Sequence, residues 1–472
     1  MTWQEQTFEG SLFDVRAHGH WRLDAGFRPL ALGVRAYRRA LAAWGLHMPF
    51  RISLEQSPAD VARLDLEIFP PGADREADNL RYVTAMLRTL LWSRGGWRIS
   101  LSGPRELCAQ VAALVRTDPR LAFERDIMAK AYLRPLEVQE FAVLPEPCQS
   151  PRALGGHLRG CRLGFDLGAS DFKVAAVKDG AVVYSAERPW TPREAADPDY
   201  HFRLLDEGLR LAAGFLPRVD AIGGSSAGII VDNEVRVSSL FRAVPAPRFE
   251  AEVRPFFQRL RAAWGVPVTV LNDGDVTALA GGLSLEQHGI LGIALGSSEA
   301  VGFLDGHGQL TGWLNELAFA PIDANPAAGA DDWAQAPGVG AAYLSQQAVL
   351  RLAPRAGLPL AAGLDPAQTL AAVQALLEKG DPAAAEVFAT IGAYLGYSLP
   401  WYAEFYPLRS ALILGRVTSG SGGAIILETA RNILAEQFPE LGDRITVALP
   451  DERSRRVGQA VAAASLPRLD QR

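Results

Sequence analysis

Apolar and polar residues alternate along Arg63-Leu-Asp-Leu-Glu-Ile-Phe69, the period of a half-buried strand. Leu80, Val83, Leu87, Leu90 and Leu91 then recur at helical spacing until Gly95-Gly96 stops the run. Trp97-Arg-Ile-Ser-Leu101 predicts a second strand, and residues 104–115 a second helix. The stretch Leu144-Pro-Glu-Pro-Cys-Gln-Ser-Pro151, followed by Gly155-Gly156, reads as a linker. Residues 1–155 are therefore expected to form an α/β module of their own, and no helix-turn-helix pattern stands out within it.

From Cys161 the texture changes to short apolar strands interrupted by glycines. Leu163-Gly-Phe-Asp-Leu-Gly-Ala-Ser170 is followed by the apolar run Val174–Val177, an Asp179-Gly180 turn and Ala181–Tyr184. Ile290-Leu-Gly-Ile-Ala-Leu-Gly-Ser-Ser298 is followed by Ala300–Leu304, an Asp305-Gly306 turn and Gln309-Leu-Thr. Each copy predicts a strand, a turn of glycine plus hydroxyl, a second strand and an Asp-Gly hairpin. A repeat near 130 residues is too long for a solenoid, so duplicated domains are the expectation.

Composition narrows the class. At 472 residues, two to four domains are expected. Hydrophobic residues make up 49% and the formal net charge is only -6, which excludes a disordered chain. No apolar run approaches the ~18–20 residues of a membrane helix. Met1–Gln6 carries neither a basic nor an apolar leader pattern, so secretion is not expected. Three widely spaced cysteines, Cys108, Cys148 and Cys161, make neither a disulfide framework nor a four-cysteine metal site. A cytoplasmic setting follows as the expectation. The acidic balance, 53 Asp+Glu against 47 Lys+Arg, argues against a nucleic-acid surface.

Several segments have the composition for chemistry. A Gly-plus-Ser turn between strands offers backbone N–H groups and hydroxyls to a phosphate. Gly168-Ala169-Ser170 and Gly296-Ser297-Ser298 are two such turns, each equally readable as a plain hairpin. Neither matches a P-loop, and no dinucleotide fingerprint follows a strand. Asp166, two residues before the first turn, is placed to hold Mg2+ through water, or to cap the turn. Val266–Leu271 predicts a buried strand ending in Asn272-Asp273-Gly274-Asp275, with Asp275 as N-cap of a following helix. Asp273 is the candidate general base. Glu316 follows the second hairpin among apolar residues, and Gly223–Gly228, after the strand Val219–Ile222, reads as a plain turn or as a place where a substrate lies against backbone. Ala411–Leu414 is another apolar strand, running into the Gly-rich Gly415–Gly420, which reads as a plain turn or as a surface for a nucleotide base.

In this order the pieces resemble the sugar kinases of the actin-like ATPase superfamily, and within it the ROK family of bacterial glucokinases, other hexokinases and sugar-responsive repressors. The resemblance spans residues 160–466, about two-thirds of the chain. It implies an actin-like, ribonuclease H-like α/β fold of two duplicated lobes, 160–285 and 286–472, around a cleft. It implies ATP held by Asp166, Gly168, Ala169, Ser170, Lys173, Gly296, Ser297, Ser298, Gly415 and Arg416, with Mg2+ at Asp166. Asp273 becomes the catalytic base, and Asn272, Glu316, Ser226, Gly228 and Arg242 the sugar ligands. The family's sugar-binding histidine, which also holds zinc, is Phe319 here, and Gly338–Gln347 lacks the cysteines of the zinc loop. No zinc is therefore expected, and Tyr343 or Gln346 is the candidate replacement at the sugar. The implied function is ATP-dependent phosphorylation of a hexose or hexosamine, at carbon 6 of a glucose-like ring. The alternative is a sugar-binding regulator on the same fold, and a third reading is an ATPase acting on other proteins. The partners are then a sugar and a nucleotide, without nucleic acid or membrane, and a homodimer stays open.

Overall fold

The computed structural model describes residues 10–19, 21–140, 143–150, 154–285, 287–450 and 452–469; Met1–Gln6 and Pro151 fall outside them. Its first sheet joins β1 (Met48–Ser57), β2 (Asp60–Ile68), β3 (Arg98–Ser102) and β4 (Glu137–Glu140) in the order β2-β1-β3-β4. Leu66 and Ile68 of β2 are buried while Asp65 and Glu67 are exposed, the alternation read from the sequence. Helices α1 (Leu30–Trp44), α2 (Glu76–Arg94), α3 (Arg105–Thr117) and α4 (Ala122–Tyr132) accompany this sheet. Gly95 ends α2 at a φ of 72°, its N–H donating to Leu91 O. The expected linker is not free: Val61 and Cys148 exchange both backbone hydrogen bonds, at 2.8 and 3.1 Å. The outer edge of β2 was open to such pairing, and residues around Cys148 cover it.

Two further sheets repeat one plan. The first contains β5 (Cys161–Leu167), β6 (Asp171–Lys178), β7 (Ala181–Pro189) and β8 (Ala221–Ser226). The small ribbon β9 (Ile229–Val231) and β10 (Glu234–Val237) precedes β11 (Val268–Asn272), giving a sheet ordered β11-β8-β5-β6-β7. The second contains β12 (Ile290–Leu295), β13 (Glu299–Leu304), β14 (Ser410–Leu414) and β15 (Thr446–Ala448), ordered β13-β12-β14-β15. In both, an antiparallel hairpin (β5-β6, β12-β13) is extended by two parallel strands. The third strand of the second copy shrinks to one bridge, Leu304 to Leu310. Asp179 and Gly180, at φ 49° and 82°, close β6-β7 as a two-residue turn. The Asp305 turn is longer, because its carboxylate accepts from the N–H groups of His307 and Gln309.

The longer helices after α4 are α5 (Pro198–Ala213), α6 (Phe256–Trp264), α7 (Asp273–Leu285), α8 (Gln346–Arg355), α9 (Pro366–Glu378), α10 (Pro382–Tyr402), α11 (Ser421–Gln437) and α12 (Glu452–Ala464). α12 returns to the first lobe and lies on β5 and β8. A Cβ at Gly164 would stand 1.8 Å from Ala460 O, and one at Gly223 1.6 Å from Ala463 O. That contact corrects the reading of Gly223–Gly228 as a loop. β8 runs to Ser226, and its Gly223 admits a helix backbone. The buried Arg162 guanidinium donates to Ala464 O (3.3 Å) and Pro467 O (2.7 Å), satisfying carbonyls at the end of α12.

α10 is apolar around most of its surface because it is enclosed by α11, α1 and α8. Among the described residues no helix is long and apolar enough to cross a membrane. The N-terminal segment shares one hydrophobic core with the second lobe. Phe27 packs on Tyr394 and Tyr343 at ring separations of 4.8 and 5.6 Å. Asp24 accepts from Tyr394 (2.6 Å) and Arg351 (2.7 Å). The first lobe has a separate core around Phe165, Phe241, Phe256 and Phe257.

Candidate functional site

Parallel pairing of β5, β8 and β11 fixes which side chains meet. Asp166 lies opposite Ser225, and both Leu167 and Asn272 lie opposite Ser226. Asp166 and Ser225 therefore share one face, and Ser226 and Asn272 the other, at the carboxyl ends of adjacent parallel strands, where such sheets place ligands. Ser225 Oγ donates to Asp166 Oδ1 at 2.7 Å. Ser226 Oγ is buried without a hydrogen-bond partner.

The next residue, Asp273, opens α7, which corrects the expectation that Asp275 is the N-cap. Asp275 lies within the first turn, and its carboxylate accepts from Asn315 Nδ2 at 2.8 Å. Gly274 holds this turn against the second lobe: its Cβ would stand 2.0 Å from Val301 O, and a Cβ at Gly302 2.0 Å from Gly274 O. Asn272 Oδ1 accepts from Gly274 N–H (2.7 Å), and Asn272 Nδ2 donates to Gly228 O (2.8 Å). The same amide stands 3.4 Å from Glu316 Oε1.

Glu316 is brought there by the N-terminal module. The N–H groups of Leu314, Asn315 and Glu316 donate to Arg94 O, Ser93 O and Trp92 O, at 3.1, 3.1 and 2.9 Å. The last turn of α2 thus finds partners for its orphan carbonyls and fixes the Glu316 segment in one step.

Burial sets the carboxyl groups. Asp273 is pushed up to about 6, first by desolvation and then by the like charge of Asp166. Glu316 is pushed up to about 8 by burial, with Asp273, Asp275 and Glu299 adding repulsion. Asp166 is also raised by burial, against the pull of Lys173 and Ser225. At neutral pH this leaves Asp273 largely ionised and Glu316 largely protonated.

The two glycine turns lie at the hairpin tips. Gly168 N–H donates to Asp171 O (3.0 Å), while Trp190 Nε1 donates to Gly168 O (2.8 Å) and braces the turn. Gly296 N–H donates to Ser298 O (3.0 Å), and Gly296 O accepts from Gln346 N–H (2.9 Å) at the start of α8. Ser170, Ser297, Ser298 and Arg416 are exposed, and Ala169 is half-buried. Gly415, at φ 100°, passes so close to β12 that a Cβ would stand 2.4 Å from Leu295 O. From there Arg416 Nη2 reaches the first lobe, donating to Ser170 Oγ (3.0 Å) and Asp171 Oδ2 (2.9 Å). Lys173 Nζ is 3.6 Å from Asp171 and 3.9 Å from Asp166.

Some candidates lie elsewhere. Arg242 is exposed after the turn Ser239–Phe241, beside Arg193, whose charge it opposes. Tyr343 is turned into the core, its hydroxyl donating to Asp323 Oδ2 at 2.6 Å. Gln346 is buried beside the Gly296 turn. Phe319 packs with Trp92 and Phe123, both at 5.0 Å, and with Trp333 at 5.5 Å. Among the described residues no group of three or more His, Cys, Asp or Glu side chains is placed to hold a metal.

Sequence reasoning missed Ser225, Asp275, Asn315 and Trp190 as parts of the site. Ser225 carried a signal, a hydroxyl beside Ser226 at the end of an apolar strand. Trp190 carried none.

Solved structures share this architecture. A ROK hexokinase from Thermus thermophilus matches at 18% identity over 64% of this chain and 97% of its own, with a TM-score of 0.50. A ROK glucokinase from Streptomyces griseus, in complex with glucose and AMPPNP, matches at 18% over 65% and 98%, also at 0.50. The chain has the ROK fold. A ROK-family transcriptional regulator, a homologue of the E. coli MLC protein, shares it at 19% identity, over 66% of this chain and 79% of its own, at 0.50. No protein-family pattern matches the sequence, and no curated protein does. The ROK fold is thus reached through backbone architecture, at identities that fix the fold and leave the chemistry to the site.

Proposed function

We propose that this protein is an ATP-dependent sugar kinase that phosphorylates a hydroxyl of a hexose or hexosamine, at carbon 6 of a glucose-like ring. The observation that carries the reading is the convergence of Asn272, Asp273 and Glu316 from two lobes, with Asp273 poised at about 6. A base with that pKa is ionised at neutral pH and still basic enough to take a proton from a hydroxyl as the new bond forms. Asn272 and protonated Glu316 supply donors for ring hydroxyls.

In the step proposed, the acceptor oxygen attacks the γ-phosphorus of ATP in line with the leaving ADP oxygen. Its proton passes to Asp273, and ADP departs. Positioning and charge neutralisation supply most of the acceleration in such transfers. The turns at Gly168 and Gly296 are the proposed phosphate contacts, with Lys173 and Arg416 as cations. Asp166 suits a Mg2+ held through water: one oxygen is engaged by Ser225, and the other is 3.9 Å from Lys173, too far for a direct bond. When bound, Mg2+ neutralises charge on the phosphate oxygens.

An ADP-release assay over a panel of glucose, mannose, glucosamine, N-acetylglucosamine and N-acetylmannosamine tests the reading. Sugar-dependent turnover in wild type, reduced ~10²-fold or more in Asp273→Asn, is expected. Turnover untouched by the substitution refutes the assignment of the base. The second reading, a sugar-binding regulator, is favoured by the shared fold of the ROK transcriptional regulator. It predicts no turnover with any sugar, together with a rise in thermal stability on adding one.

A further inference from the structure

A cavity of about 180 Å³ adjoins Asn272, and its walls come from several parts of the chain, among them the ribbon residues Ile229, Ile230, Val231 and Asp232. Asn272 and Asp275 form one side, at the end of β11 and the first turn of α7. Trp313 forms another, held between the Arg94 guanidinium, 3.2 Å from its ring centre, and the parallel ring of Phe303 at 5.4 Å. The N-terminal module closes the third with Gln56 and Ser57, at the end of β1, and Tyr132, the last residue of α4.

This third wall is tied down. Gln56 Nε2 donates to Tyr132 Oη (3.0 Å), Gly312 O (3.1 Å) and Arg94 O (3.3 Å). The amide thereby joins β1, α4, α2 and the segment leading to Glu316. Tyr132 sits so close that a Cβ on Gly95 would lie 1.9 Å from its oxygen. Ser57 borders the same space, its hydroxyl donating to Asp60 Oδ2 (3.0 Å) and accepting from Ala59 N–H (3.2 Å). Amide, hydroxyl and carboxylate groups converge there with the edges of Leu271 and Trp313. That mixture suits a hydroxylated ring, whose polar rim needs partners and whose C–H faces need apolar contact.

We propose that Ser57 and Tyr132 determine acceptor specificity. In this arrangement the cavity, which Asp273 and Glu316 do not line, extends the acceptor site past Asn272; the N-terminal module forms its outer wall, and the part of a hydroxylated acceptor remote from Asp273 lies between Asn272 and Tyr132. The inference rests on the sugar-kinase reading. It gives the N-terminal module a role in substrate choice that the glycine turns and Asp273 do not supply.

Two variants test it, in kinetics with glucose, mannose, N-acetylmannosamine and maltose as acceptors. Tyr132→Phe removes one hydroxyl and is expected to raise the KM of the preferred sugar about three- to tenfold, with the KM for ATP unchanged. Ser57→Phe fills the cavity and is expected to reorder the panel, penalising the bulkier acceptors most. Melting curves of both variants show whether they fold as wild type does. Sugar-dependent turnover with unaltered KM in Tyr132→Phe and unaltered ranking in Ser57→Phe overturns the inference and leaves the kinase reading standing. If wild type turns over no sugar, calorimetric Kd values for the same sugars decide. Weaker binding in Tyr132→Phe upholds the wall while the kinase reading falls, and unchanged binding, or none in wild type, overturns both.

Discussion

At the scale of single residues, the site is a set of carboxyl groups held at different protonation levels by burial and mutual repulsion. Asp273 at about 6 and Glu316 at about 8 bracket neutral pH. If Asp273 is the base and Glu316 a donor, kcat/KM rises with pH through about 6 and falls through about 8. These are macroscopic limbs of a coupled pair. Glu316→Gln, which donates at any pH, is expected to flatten the alkaline limb and keep the acid one; an unchanged alkaline limb assigns it to another group. Glu299 raises a separate point. It is fully buried, reaches Tyr402 at 3.2 Å with one oxygen and leaves the other unpartnered, and burial pushes it up to about 8. A carboxyl raised in the folded state binds its proton more tightly there than in the unfolded chain. Stability is then lost as pH rises from about 4.5 toward 8, and levels off above. Glu299→Gln is expected to raise Tm more at pH 8.5 than at pH 5, read by calorimetry at both; an equal shift at both pH values refutes the buried-acid account.

At the scale of elements, close backbone contact does what side-chain packing does elsewhere. α12 rests on β5 and β8 through Gly164 and Gly223, and α7 rests on β13 through Gly274 and Gly302. Gly223→Ala places a methyl 1.6 Å from Ala463 O, so the helix must lift from the sheet. A loss of at least about 1–3 kcal/mol is expected, visible as a lowered Tm. Gly306→Ala, where nothing lies within 4 Å of the added methyl, is the control expected to change Tm little. The pattern also explains where local reading failed. Gly223-Gly224 looked like a turn because glycine is the commonest turn residue, yet β8 passes through both. The strands, α2 and the two glycine turns were legible because their period or hairpin chemistry is local. Asp275's bond to Asn315 was not, since 40 residues separate them.

At the scale of the whole molecule, the N-terminal module and the second lobe share a core, with Phe27 among Tyr343, Tyr394 and Tyr397. Heating is therefore expected to unfold these two parts in one transition, followed in parallel by near-UV and far-UV circular dichroism. A separate earlier transition of the N-terminal module would contradict a shared core. The two lobes also meet through Arg416, bonded to Ser170 and Asp171. With the Arg416 side chain more than half exposed, this ion pair contributes little stability. Arg416→Ala is expected to shift Tm by only a degree or two while raising the KM for ATP several-fold. A large fall in Tm would make it a structural strut instead.

By itself the sequence determined what depends on neighbours along the chain: the duplicated strand–turn–strand units, the Asn272-Asp273 pair at a strand end, and phenylalanine at position 319 with no cysteines after it. These follow from period, turn chemistry and composition. Tertiary structure alone decided that α2 carries the Glu316 segment to Asn272, that Gln56 and Tyr132 close the cavity beside it, and that Tyr343 turns into the core toward Asp323. Those outcomes rest on contacts between residues scores to hundreds of positions apart, whose geometry no local pattern encodes.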